Sequence, residues 1–102
     1  MNTTINKDIK GDKKYAFDFF YNKLYNLNKH KKNAESLSRI QAAGIVGNLL
    51  QESGLRTGIK GDGGKAFGIA QWHPDRQKGL KELANSRGVD ITDLDTQLEY
   101  VW

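Results

Sequence analysis

Six of the chain's 11 glycines fall between Gly54 and Gly68, namely Gly54, Gly58, Gly61, Gly63, Gly64 and Gly68. Glycine loses more backbone freedom on folding than any other residue, and each one weakens a helix by about 1 kcal/mol relative to alanine. A regular helix cannot run through such a stretch, so it divides the chain. Helical patterns stand on either side, and turns with a small hairpin stand between, with Lys65 to Trp72 as the expected extended piece.

Before the glycines, apolar residues recur at helical spacing. Phe17, Phe20, Tyr21, Leu24 and Leu27 form one stripe, and the pattern predicts a helix from Lys13. Residues 1–12 read as a flexible arm, which leaves 13–102 as the folded domain. Asn28 to Asn33 is polar and basic and reads as a loop. Ser38 and Gln41 fit an S-x-x-Q capping box, which predicts a second helix from about Arg39. Its apolar positions are Ala42, Ile45, Val46, Leu49 and Leu50, and Gly44 and Gly47 lie within it. Two glycines in one buried helix imply close backbone packing or room for a ligand. Gly54 is a good left-handed terminator after Ser53.

Beyond the glycines, Pro74 suits the first turn of a third helix that buries Leu80, Leu83 and Ala84 and stops at Gly88. Asp90 or Thr92 should open a fourth, with Ile91, Leu94, Leu98 and Val101 on one face. Trp102 ends the chain inside that pattern without a cap, which is expected of a domain truncated at its C-terminus. These elements predict a small, mainly helical domain with a short β-hairpin.

At 102 residues the chain is one small domain. It has no cysteine, so neither disulfides nor thiolate chemistry enter. A zinc site would rest on His30, His73 and carboxylates with no HExxH helix to present them, so no metal and no cofactor are expected. The apolar runs are far too short for membrane insertion, and the polar N-terminus lacks the apolar segment of a signal peptide. Residues 1–32 carry eight lysines against Asp8, Asp12 and Asp18, a balance of +5, while the remainder carries −1. A basic third can meet nucleic acid, anionic lipid or an anionic wall polymer. Lysine-rich solvated surfaces are common, however, and no RNA-binding aromatic motif accompanies these lysines, so no nucleic-acid partner is expected.

Glu52 carries the chemical interest. On a helix it shares a face with Ile45, Asn48 and Leu49, at i−7, i−4 and i−3. Partial burial on that face, and the negative end of the helix dipole, both disfavour a charged carboxylate. That is the direction a general acid at neutral pH requires. The plain alternative is a surface glutamate at a helix end, and position alone does not choose. Gly61 to Lys65 fails the phosphate-loop pattern, because Ile59 stands where the first glycine belongs and Ala66 follows the lysine. The glycines instead let backbone run close beside a ligand. Gln71 offers an amide for sugar hydroxyls or an N-acetyl group, and Trp72 and Phe67 offer aromatic faces for a sugar ring. Each aromatic is equally readable as core.

Taken in order, Ala42-Ala43-Gly44-Ile45-Val46-Gly47-Asn48, then Glu52-Ser53, then Gly68-Ile69-Ala70-Gln71-Trp72-His73 resemble the phage tail-tip lysozyme family, within the lysozyme-like superfamily of peptidoglycan-cleaving domains. The resemblance runs from about Tyr15 to Trp102 and is densest from Gln41 to Leu80. It implies a mainly α, lysozyme-like α+β fold and cleavage between N-acetylmuramic acid and N-acetylglucosamine. Glu52 matches the acid that protonates the glycosidic oxygen. Ser53 matches the serine that orients that carboxyl or the substrate, and Gln71 the glutamine lining the cleft. Phe67 stands where a tyrosine is common, which keeps an aromatic wall and drops a hydroxyl.

Glycosidases usually pair an acid with a second carboxylate. Asp62, on the glycine loop, is the first choice, with a plain turn aspartate as its alternative. Asp75 more simply serves a helix N-terminus. Asn48, one turn before Glu52, is a candidate partner for it, and His73 is a candidate substrate contact with a structural or exposed role as the simpler reading. Without a second carboxylate in the cleft, a lytic transglycosylase with the same acid is implied, and a non-catalytic virion or wall-binding module is the competing class. The implied setting is a phage tail acting on the host wall, with peptidoglycan and other tail proteins as partners.

Overall fold

A computed structural model describes residues 9–102, in the order α1 (Ile9–Asn28), α2 (Ala34–Ser53), β1 (Lys60–Gly61), β2 (Ala66–Phe67), α3 (Pro74–Arg87) and α4 (Leu94–Val101). The protein is mainly α with a short antiparallel hairpin. Most of the expected N-terminal arm lies outside the described residues. Helix α1 begins at Ile9, four residues ahead of the expected start. The chain divides into two units, the first ending at Asn48 and the second running from Leu49 to Trp102.

In the first unit, Phe20 of the predicted stripe is fully buried on α1, together with Ala16 one turn earlier, which the stripe did not include. Phe17, Tyr21 and Tyr25 stack along the helix at successive four-residue steps, with centroids 6.2 Å and 5.9 Å apart. Leu27, expected in the stripe, is 60% exposed, and the last turn instead buries Asn28. The Asn28 amide donates to Ser38 Oγ at 3.1 Å and to Gln41 Oε1 at 2.9 Å. This corrects the capping-box reading. Ser38 and Gln41 lie one turn apart inside α2 and hold an amide ten and thirteen residues earlier, so α2 begins at Ala34 rather than near Arg39.

The buried stripe of α2 runs Ser38, Ala42, Val46, Leu49 and Ser53. Gly44 and Gly47 lie off it, and a Cβ added at either would meet nothing within 4 Å. The expected close backbone packing is therefore not there.

In the second unit, Gly54 (φ +66°) ends α2 in the left-handed conformation. Strands β1 and β2 pair antiparallel, Lys60 with Phe67 and Gly61 with Ala66. Their turn places Asp62 (φ +52°) and Gly63 (φ +67°) in succession in the left-handed region, the backbone that matches a tight hairpin to strand twist. Phe67 pairs onward with Trp72 through two backbone bonds of 2.9 Å, closing a loop over 68–71.

Pro74 and Gly88 bracket α3 as expected. Helix α4 is capped by Asp93, not by Asp90 or Thr92, and the Asp93 carboxylate accepts from the Thr96 N–H and hydroxyl. Asp90 instead closes its own turn with Thr92, accepting from its N–H at 2.9 Å and its hydroxyl at 2.7 Å. Those bonds, the hydroxyl's first, hold the Asp90 carboxyl below its ordinary range. Helices α3 and α4 pack together where Tyr100 lies over Gly79, and the Tyr100 hydroxyl donates to the Arg76 carbonyl at 2.6 Å. Leu80, Ala84, Leu98, Ile69 and Trp72 form the core of this unit.

Candidate active site

Glu52 stands on the last turn of α2 and is exposed. The sequence had placed it half inside an apolar face. The buried stripe instead passes through Ser53, and one residue of helix turns the next side chain by about 100°, which carries Glu52 to the solvent side. Among the described residues, no hydrogen bond or ion pair engages its carboxyl. Asn48, one turn earlier, is also exposed.

Ser53 is 2% exposed. Its hydroxyl lies 2.6 Å from the Ile69 carbonyl and 3.0 Å from the Leu49 carbonyl, and it accepts from the Leu55 N–H at 3.1 Å. Its single proton is directed at these backbone carbonyls, so it has none to donate to a sugar or to Glu52. It fastens the end of α2 to the loop over 68–71.

That loop carries the other candidates. Gln71 (φ +52°) is half-buried, and its amide donates to the Gly68 carbonyl at 3.0 Å and the Ile59 carbonyl at 3.4 Å. Its oxygen lies so close over Gly61 that a Cβ there would collide with it. The glutamine thus braces the hairpin from within. Trp72 is buried, with its ring 5.1 Å from that of Tyr100, and Phe67 is half-buried. Gln77 on α3 ties the hairpin down, donating to the Lys65 and Trp72 carbonyls at 2.7 Å and 2.8 Å.

Asp62 and His73 are brought together. Asp62 Oδ2 lies 3.5 Å from His73 Nε2, an ion pair when the imidazole is protonated. Both side chains are exposed, one at the hairpin turn and the other just ahead of α3. Asp75 falls in the first turn of α3, where its charge suits the helix dipole.

The residue that sequence reading missed is Gln97. It is fully buried on α4 with its amide complete. Oε1 accepts from the Ile69 N–H at 2.9 Å, and Nε2 donates to the Thr57 carbonyl at 2.9 Å and the Ile91 carbonyl at 2.8 Å. The signal was present. Position 97 lies three residues after Leu94 and four before Val101, so a polar side chain occupies the apolar stripe.

A cavity of about 340 Å³ lies elsewhere, in the first unit, where Lys29, Lys31, Lys32, Tyr25 and Ser36 line the α1–α2 turn. Among the described residues, no group of three or more His, Asp or Glu could hold a metal ion, and no helix is long and apolar enough to cross a membrane.

The fold and the site define a mainly helical domain in which an acid-bearing helix end is fastened to a glycine-rich hairpin loop. A family model described as phage tail lysozyme matches residues 13–102. The chain belongs to the phage tail lysozyme family. Membership carries a lysozyme-like role, with peptidoglycan as substrate, and association with the phage tail. No curated protein and no solved structure matches the chain.

Proposed function

We propose that this chain cleaves the peptidoglycan glycan strand between N-acetylmuramic acid and N-acetylglucosamine, with Glu52 as general acid. The observation that carries the reading is an exposed carboxyl, unengaged among the described residues, on a helix end that Ser53 fastens to the loop bearing Gln71 and Trp72. Glu52 donates its proton to the glycosidic oxygen as the C1–O bond breaks, and positive charge develops at C1. Asp62 is the second carboxylate, stabilising that charge or activating the water that attacks it. Phe67 and His73 are the exposed or half-exposed groups beside the hairpin that a sugar can meet. Gln71, Trp72 and Ser53 act by shaping the loop, because their polar groups and ring are engaged within it. Asn48 extends the exposed face of α2 toward the acid.

One observation favours a second reading. Asp62 already faces His73 at 3.5 Å. An aspartate so engaged favours attack at C1 by the muramic acid 6-hydroxyl, whose proton passes to the Glu52 carboxylate left by the first step; this is the reaction of a lytic transglycosylase, which leaves an anhydro sugar. In either case the chain works in the virion tail, beside other tail proteins, on the wall of the host.

Zymography on purified wall tests the acid. Clearing by the full-length chain should vanish in Glu52→Gln, and clearing that survives removes Glu52 from the role. No clearing by the intact polypeptide would instead mark a wall-binding module. Mass analysis of the released sugars separates reducing ends, expected of the hydrolase, from anhydro ends. An Asp62→Asn chain with full activity removes Asp62 from the chemistry.

A further inference from the structure

The Ile69 peptide is held from both sides. Its carbonyl accepts from Ser53, the neighbour of Glu52, and its N–H donates to Gln97 on α4. Gln97 also gathers two further segments, the turn at Thr57 and the α3–α4 connection at Ile91. Gly68 (φ +84°) is pressed against the same amide, since a Cβ there would stand 2.9 Å from Gln97 Oε1 and 3.0 Å from the Trp72 ring. A helix end with no tertiary tie frays, and a side chain on its last turn swings with it. Here the last residue of α2 is tied to a peptide that a fully buried, fully bonded glutamine fixes in turn.

We infer that Gln97 is a positioning residue for the acid: through the Ile69 peptide and Ser53 it sets where the Glu52 carboxyl stands relative to the hairpin loop. Glutamine suits the task because one planar amide both accepts from Ile69 and donates to two carbonyls. Apolar residues of the same size fill the space and supply none of these bonds. This rests on Glu52 as the acid, and it makes α4, which carries none of the candidate catalytic or substrate-binding residues, a determinant of turnover.

The test measures kcat and KM on soluble glycan strands with the full-length chain, at a temperature where near-UV circular dichroism shows each variant folded. Gln97→Met keeps the length and removes all three hydrogen bonds. Misplacing a catalytic group by about 1 Å can cost about a hundredfold, so kcat should fall between about tenfold and a hundredfold, with KM within about twofold. Ser53→Ala cuts the same link at its other end. It should also lower kcat, and the double variant should be little slower than the slower single variant. A purely structural role lowers the melting temperature and leaves kcat per folded molecule unchanged.

A folded Gln97→Met chain with wild-type kcat overturns the inference, as do fully multiplicative effects in the double variant. If Gln97→Met does not fold, Gln97→Glu decides, since it keeps the acceptor for Ile69 and loses the donors to Thr57 and Ile91. Reduced kcat at unchanged KM supports the inference, and unchanged kcat overturns it. Glu52→Gln, run in parallel, separates the two failures. If it retains turnover, the acid assignment falls and this inference with it. If it is inactive while the Gln97 variants keep full kcat, only the positioning role falls.

Discussion

Two pairs of glycines sit in this molecule under opposite conditions. Gly44 and Gly47 lie on the exposed side of α2, with open space where a side chain would stand. Gly61 and Gly68 lie in the hairpin region, pressed by the Gln71 oxygen in one case and by Gln97 and the Trp72 ring in the other. The same residue type is thus replaceable in the helix and required in the loop. What makes the loop glycines necessary is a set of glutamine amides that brace the backbone from inside and need it close.

Alanine substitution is the direct way to break this contrast, and Gly68→Ala should have the largest effect. It combines a left-handed backbone (φ +84°) with overpacking against Gln97 and Trp72, each worth about 1–3 kcal/mol, so a loss of about 3 kcal/mol is expected in chemical denaturation. Gly61→Ala should cost less, about 1–2 kcal/mol, because the obstructing atom is the end of a flexible side chain and Gln71 can yield. If Gly61→Ala proves the worse of the two, Gln71 is more firmly held than its half-buried amide indicates.

Gly44→Ala and Gly47→Ala should have the opposite sign, each raising stability by about 0.5–1 kcal/mol through helix propensity. A Gly47→Ala chain that is more stable yet binds glycan less tightly would sharpen the contrast, because it would mark this face as one that substrate approaches. The smallest effect expected is at acid pH. The Asp90 carboxyl is depressed by its bonds to Thr92, so its contribution is complete above the ordinary value of 3.8 and is lost as pH falls through the lower folded-state value. Denaturation midpoints of Asp90→Asn and the parent should therefore converge only below that pH.

How far the sequence could be read depended on the range of the interaction that decided each feature. Pro74 and Gly88 mark α3 by their own backbone preferences, and both ends were legible. The end of α2 at Ser53 and Gly54 was legible for the same reason. Its beginning was not, because Ser38 and Gln41 have a pattern that fits a cap while their partner is Asn28 in the preceding helix. The start of α4 was misplaced by at most three residues, since Asp90, Thr92 and Asp93 all have capping side chains and only Asp93 reaches an amide of the helix.

At the candidate site, Glu52 and the loop from Gly61 to Trp72 stood out in the chain. The work done by Ser53 and Gln71 did not, because an inward-turned hydroxyl and an outward-turned one have the same letter. Gln97 was visible only as a polar residue in an apolar stripe, because its three partners at Thr57, Ile69 and Ile91 are set by tertiary packing.

The contact between Trp72 and Tyr100 has an optical consequence. The chain has two tryptophans, Trp72 at 8% exposure and Trp102 at 47%. Their emission should differ in wavelength and in access to a soluble quencher. The quencher-resistant fraction then reports whether the hairpin loop is seated against α4. With Trp102→Phe the remaining signal comes from Trp72 alone, and the protein carries an intrinsic fluorescent gauge beside the segment that holds its candidate acid in place.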